Sequence, residues 1–303
     1  MATEALLSGV HCVWQAPAAA PIALVVAAHG CRATGRVWFP ASTGCSSCAP
    51  LPEESCISST ALAAGMAVLA CSAQNATGCW TAADVPRVEA AVGEWRARSG
   101  VANAHSLPLL TLGSSSGGWF AAQAARSWPA VRGVCTIVSV PSLPDISPPL
   151  PRGSPFPPLQ LITLQRDAGK LRAAQGLSAA SWAGKQEVQH LNCSPRKLLP
   201  DSLALAVPGL DVHTSRAVHA ALTARGWLEP DGSLASHPRR GVWRTEVERA
   251  LPRDMSTLPG HSVKLAMDCI FQQLDVAYGF HAATCEHMGE TVAFFRRSLG
   301  VAG

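Results

Sequence analysis

The chain has 303 residues, 48% of them hydrophobic and 15% charged, with a net charge of +4. That length and apolar content can build one large domain and exclude an extended or disordered protein. With one Tyr, seven Phe and no basic run interleaved with aromatics, nucleic acid is not an expected partner.

In chain order, the first apolar run, Ala16 to Ala28, is too short for the roughly 18 uninterrupted apolar residues of a membrane span. It contains Pro17 and Pro21 and follows no basic region, so it does not read as a secretory leader. Eleven cysteines without such a leader give the expectation of reduced thiols in the cytoplasm or a similarly reducing compartment. Ile22 to Ala28 reads as a buried strand that ends at His29-Gly30, and Met66 to Ser72 as the next. From Ala83 to Arg98, Val85, Val88, Val92 and Trp95 recur at helical spacing, which predicts a helix lying on a sheet. Leu107 to Leu112 predicts a third strand running straight into Gly113-Ser114-Ser115-Ser116-Gly117-Gly118, and Trp119 to Ser127 a helix. Val131 to Val140 and Leu159 to Leu164 are further strands, separated by a proline-rich loop. This alternation predicts an α/β fold, a mainly parallel sheet with helices on both faces.

After Asp167, Leu171 to Ala183 predicts a helix and Glu187 to Leu191 another strand. The interval from Cys193 to about Leu258 holds a helix-like stretch, Ser215 to Ala224, and a hairpin signal at Asp231-Gly232. It reads as a cap or small helical subdomain inserted into one domain that spans residues 1–303. Gln273 to His281 reads as a strand-like run into a loop, and Cys285 to Leu299 as the closing helix.

A strand that ends in Gly-x-Ser-x-Gly and opens a helix is the signature of a nucleophile elbow. The serine there occupies a strained turn, and a side chain on the flanking glycines would collide with the strand and helix. Ser115 is therefore the candidate nucleophile, centred between Gly113 and Gly117, whereas Ser114 and Ser116 are not. An oxyanion hole needs two backbone N–H donors, and the amides of Ser116 and Cys31, the latter in the His29-Gly30-Cys31 loop, stand where they are needed. His29 reads as a residue that orders this loop.

The base and its carboxylate follow the serine in the order Ser, Asp or Glu, His. Asp167, just after the Leu159 to Leu164 strand, is the first choice of acid, with Asp145 the second. Of ten histidines, His281 is the candidate base because it precedes the final helix; His287, His190, His213, His219 and His237 read as structural or solvated. Cys45-x-x-Cys48 could form half of a zinc site with Cys56 and Cys79, but no second pair completes it. Disulfides among Cys31, Cys45, Cys48, Cys56 and Cys79, or buried free thiols, are the alternatives.

His29-Gly-Cys, Trp38-Phe-Pro, Cys45-x-x-Cys48, Leu51-Pro-Glu-Glu54, Cys79-Trp80 and the Gly-x-Ser-Ser-Gly-Gly turn together resemble a group of α/β-hydrolase-fold proteins of plants and algae. The likeness continues through Asp231-Gly-x-Leu234, Pro238-Arg239 with Trp243, and Ala277-Tyr278 followed by His281. It implies Ser115 as nucleophile, His281 as base and Asp167 as acid. The His-Gly-Cys loop and the two glycines after the serine are also similar to the branch with polyhydroxyalkanoate depolymerases and feruloyl esterases, where the cysteine after His-Gly can be disulfide-bonded. One departure is Ala282, where the matching proteins usually carry an acidic residue. The expectation is a serine hydrolase, carboxylesterase-like, that cleaves a small-molecule ester or related acyl bond and requires no metal or organic cofactor. A non-catalytic ligand receptor on the same fold is the rival. A winged-helix-like binding module in the insertion is a second rival, basic only around Arg239 and Arg240.

Overall fold

The computed structural model describes residues 1–151, 153–183, 187–251 and 262–301. The last part of the expected insertion, residues 252–258, lies outside the described residues.

The chain opens with a hairpin the sequence reading did not foresee, β1 (Thr3–Leu7) and β2 (Val10–Gln15). Ser8 and Gly9 between them both have positive φ, the backbone of a two-residue turn whose twist matches the strands it joins. Then come β3 (Ala23–Ala28), α1 (Pro52–Ala63), β4 (Met66–Cys71), α2 (Asp84–Arg98), β5 (Leu109–Ser114), α3 (Ser116–Ser127) and β6 (Val131–Ile137). The short α4 (Leu143–Ile146) lies in the proline-rich loop, followed by β7 (Leu159–Leu164), α5 (Ala168–Ala183) and β8 (Val188–Cys193). Beyond β8 lie α6 (Ser202–Ala206), α7 (Val212–Ala224), α8 (Trp243–Ala250), α9 (Val263–Tyr278) and α10 (Met288–Ser298).

The eight strands form one sheet in the order β1-β2-β4-β3-β5-β6-β7-β8. Only the β1–β2 and β2–β4 pairs are antiparallel; β3 through β8 run parallel. This is the α/β-hydrolase arrangement, with the turn that carries Ser115 at the end of central strand β5. The central strands are apolar throughout because both faces are covered. Leu24, Val26 and Ala28 point into a cluster with α2 and α3, whereas Ala23, Val25 and Ala27 point into one with α1 and α10. That period-two split is what lets six consecutive apolar residues serve two cores.

A third apolar cluster lies apart from the sheet and draws on Leu203, Leu222, Trp243 and Val247 together with Ile270 and Leu274 of α9. The run Gln273 to Tyr278, read from sequence as strand-like, is the C-terminal part of α9. Its apolar residues Leu274 and Ala277 are buried in this third cluster, Val276 is buried as well, and Gly279, in the left-handed conformation, ends the helix. Short apolar runs cannot by themselves separate a buried strand from a buried helix. Among the described residues no helix is long and apolar enough to cross a membrane.

Candidate active site

Ser115 occupies the turn between β5 and α3 with φ 54° and ψ −118°, a conformation that L-residues rarely adopt. Its N–H donates to the Ile137 carbonyl at 2.8 Å, and its own carbonyl accepts from Gly118 and Trp119 at 3.1 and 3.2 Å. These bonds, from a neighbouring strand and from the first turn of α3, hold the strain in place. A Cβ on Gly113 would strike the Gly117 carbonyl, and one on Gly117 would strike the carbonyls of Ala28 and His29. Both positions therefore demand glycine for close approach rather than for flexibility.

The loop after β3 runs alongside. A methyl group on Gly30 would lie 3.8 Å from Ser115 Cβ. Fully buried His29 accepts the Ala73 N–H on Nε2 at 3.1 Å, so Nδ1 carries the proton and donates to the Gly30 carbonyl at 2.6 Å. Burial pushes the His29 imidazole down to about 4, which keeps it neutral. Trp80 Nε1 donates to the His29 carbonyl at 2.9 Å, and the Cys31–Cys79 disulfide ties the loop to the segment that carries Trp80. The Cys31 amide donates to no described protein group. Nor does that of Ser116, which as the first residue of α3 has no intrahelical acceptor.

His281 reaches this corner from the segment between α9 and α10. Its Nε2 lies 2.7 Å from Ser115 Oγ, and its Nδ1 lies 2.7 Å from Asp167 Oδ2. A carboxylate can only accept, so Nδ1 is the protonated nitrogen and Nε2 is free to accept from the serine hydroxyl. Asp167 stands at the N-terminus of α5, where its Oδ1 accepts from the Lys170 amide at 3.3 Å. A helix N-terminus favours a negative charge there. Next to it, the Arg166 N–H donates to the Gly279 carbonyl at 2.8 Å, fastening the segment that carries Asp167 to the one that carries His281.

Asp145 is engaged elsewhere. It closes a capping box with Ser142 at the start of α4 and accepts from Gln123 and Arg126 on α3. Those partners pull its carboxyl below the usual range, against the opposing effect of its partial burial. Of the other histidines, His190 meets Thr163, His219 meets the Leu198 carbonyl and His287 meets Glu290. The Cys45–Cys48 pair is a disulfide, which removes the zinc half-site considered from sequence. A third disulfide, Cys56–Cys285, joins α1 to the stretch just after His281, and the Glu53 carboxylate accepts the Cys285 N–H at 2.7 Å. The sequence named Glu53 and Trp80 only within motifs, without a role, and did not single out Arg166 or the partner of Cys56, because each acts through a contact far away in the chain.

Ser115 and His281 open onto a cavity of about 1240 Å³. One wall is α9, which presents Phe271, Gln272 and Asp275; the His29-Gly30-Cys31 loop and the 238–244 segment form others. Glu54 also lines it, and burial pushes its carboxyl up to about 7 despite the hydrogen bond from Gln272 at 2.6 Å.

In overall structure the chain is similar to a dienelactone hydrolase from Anabaena variabilis, 17% identical over 65% of this chain and 86% of that one, TM-score 0.44. It is similar as well to an esterase/lipase from an uncultured bacterium, 16% identical over 69% and 79%, TM-score 0.45. A Pyrobaculum calidifontis esterase matches at 16% identity over 64% and 76%, TM-score 0.42. No protein-family model and no curated protein matches the chain.

Proposed function

We propose that the chain is a serine hydrolase acting on an ester or related acyl bond of a small molecule. The observation that carries this reading is the unbroken Ser115–His281–Asp167 relay at 2.7 Å per link, opening on a cavity. Ser115 Oγ attacks the acyl carbon as His281 Nε2 takes its proton; the same proton then goes to the departing alcohol. Water, activated by His281 in turn, releases the acyl group and restores Ser115. The Cys31 and Ser116 amides receive the charge that develops on the carbonyl oxygen. Asp167 keeps the imidazole in the required tautomer.

In this reading the segment after β8 is a cap. Its apolar cluster takes in α9 as well, so the unit extends past the expected limit at residue 258 to Tyr278. The three disulfides count against the reducing compartment expected from sequence and favour an oxidising one, where such pairs persist.

A fluorophosphonate probe tests the function. Covalent labelling of wild-type protein that is lost in Ser115→Ala is the expected result. Folded wild-type protein that takes up no label would instead favour the non-catalytic receptor.

A further inference from the structure

Pro238, Arg239 and Trp243 stand outside the relay. Arg239 sits in a single 3-10 turn, Pro238–Arg240, within the segment between β8 and α9. Its Nε donates to Asp275 Oδ2 at 2.9 Å, while Nη2 reaches the same oxygen at 2.9 Å and also donates to the backbone carbonyl of His281. Among the described residues no other group donates to that carbonyl. One guanidinium thus bridges the last turn of α9 and the residue that carries the base.

The surroundings fix this bridge from both sides. Asp275 is 2% exposed, and its own carbonyl accepts from Gly279 and Phe280, so its position sets where the base loop leaves the helix. His237 stacks on Tyr278 at 5.1 Å and packs on Phe280 at 4.3 Å. Trp243 Nε1 donates to the Pro238 carbonyl at 2.8 Å and stacks on Phe271 of α9 at 5.8 Å. A planar guanidinium has the fork of donors needed to hold a carboxylate and a carbonyl together; a lysine ammonium does not.

The geometry points to Arg239 as a positioning residue that holds the His281 backbone in register with Ser115 and Asp167, making the cap segment part of the relay's support. This inference rests on the hydrolase reading above. A base displaced by about 1 Å costs on the order of 100-fold in rate. The effect of losing Arg239 should therefore fall on turnover rather than on substrate affinity.

The test compares wild type, Arg239→Lys, Arg239→Ala and Asp275→Asn as full chains, with hydrolysis of p-nitrophenyl acetate, thermal unfolding, and ¹⁵N resonances of the His281 imidazole where the ring is neutral. Arg239→Lys should lower kcat about tenfold or more with KM within about twofold, and the ring should exchange between its two tautomers. Asp275→Asn keeps an acceptor for the guanidinium but loses its charge, so it should lower kcat in the same direction as Arg239→Lys and by less. Should Arg239→Ala fail to fold, the lysine variant decides. Folded Arg239 variants with wild-type kcat and a single tautomer would overturn the inference. So would a rise in KM at unchanged kcat, which would make Arg239 a substrate contact. If wild type neither turns over substrate nor labels at Ser115, the hydrolase reading fails by itself, and the imidazole resonances still decide the role of Arg239.

Discussion

Ser115 and His281 meet at 2.7 Å, but the two sides of the site are built differently. Ser115 is placed by one strand, one turn and one helix, with Gly113 and Gly117 as the closest constraints. His281 lies 166 residues from the serine and 114 from Asp167, and it is placed by contacts that cross the chain: the Arg166 amide, Arg239, Glu53 and the Cys56–Cys285 bridge. On the serine side the backbone is enclosed, with no room for a Cβ at Gly113 or Gly117. On the His281 side the position depends on each of these contacts. Substitutions on the first side should therefore act through local sterics, and those on the second through loss of alignment.

If the proposed function holds, the largest effect on the His281 side is that of Asp167→Asn, which preserves shape but favours the wrong imidazole tautomer. It should lower kcat on the order of 10⁴-fold, whereas Asp145→Asn should leave kcat within about twofold. Steady-state turnover of both variants checks this, and a collapse in Asp145→Asn instead would mean that the base is held in another way. Next, removing the Cys56–Cys285 bridge with paired serines should cost about 2–4 kcal/mol of stability by denaturant unfolding and should also lower kcat. Removing Cys45–Cys48, which closes a far shorter loop, should cost less and leave kcat unchanged. Equal losses in kcat would mean that the Cys56–Cys285 bridge has no particular part in aligning His281.

The two sides also differ in their response to pH. Burial lowers His29 from 6.5 to about 4, so the folded chain binds its proton less tightly than the unfolded chain. The stability that neutral His29 contributes is present above pH 6.5 and lost as pH falls toward 4. Burial raises Glu54 from 4.5 to about 7, so the folded chain binds that proton more tightly. Its contribution is complete below pH 4.5 and lost as pH rises through 7. At 1.36 kcal/mol per pH unit, each displacement amounts to about 3 kcal/mol at most. Melting curves of Glu54→Gln and His29→Gln should lose the neutral and the acid slope respectively; an unchanged slope in either variant would remove that group from the account.

The smallest effect tests the sterics of the elbow. Gly117→Ala should destabilise the protein by about 1–3 kcal/mol, because its methyl group meets backbone that cannot move aside. Gly93→Ala on the exposed face of α2, with no atom within 4 Å, should stabilise by about 0.5–1 kcal/mol. Thermal unfolding of both variants gives the comparison. Similar changes in the two would mean that the elbow glycines are not tightly enclosed.

The amino-acid sequence by itself determined the strand–turn–helix around Ser115 and the period-two burial of the parallel strands. It also determined the loop-ordering role of His29. The sterics of glycine and the geometry of a strand act between near neighbours, so their pattern is written in consecutive residues. It left two aspartates open for the acid and several pairings open for the cysteines, and it read part of α9 as a strand. Only the tertiary structure put Asp167 rather than Asp145 beside His281, paired Cys56 with Cys285, and carried Arg239 to the His281 carbonyl. Those choices depend on how separately folded segments pack, and no local periodicity records a contact made across more than a hundred residues.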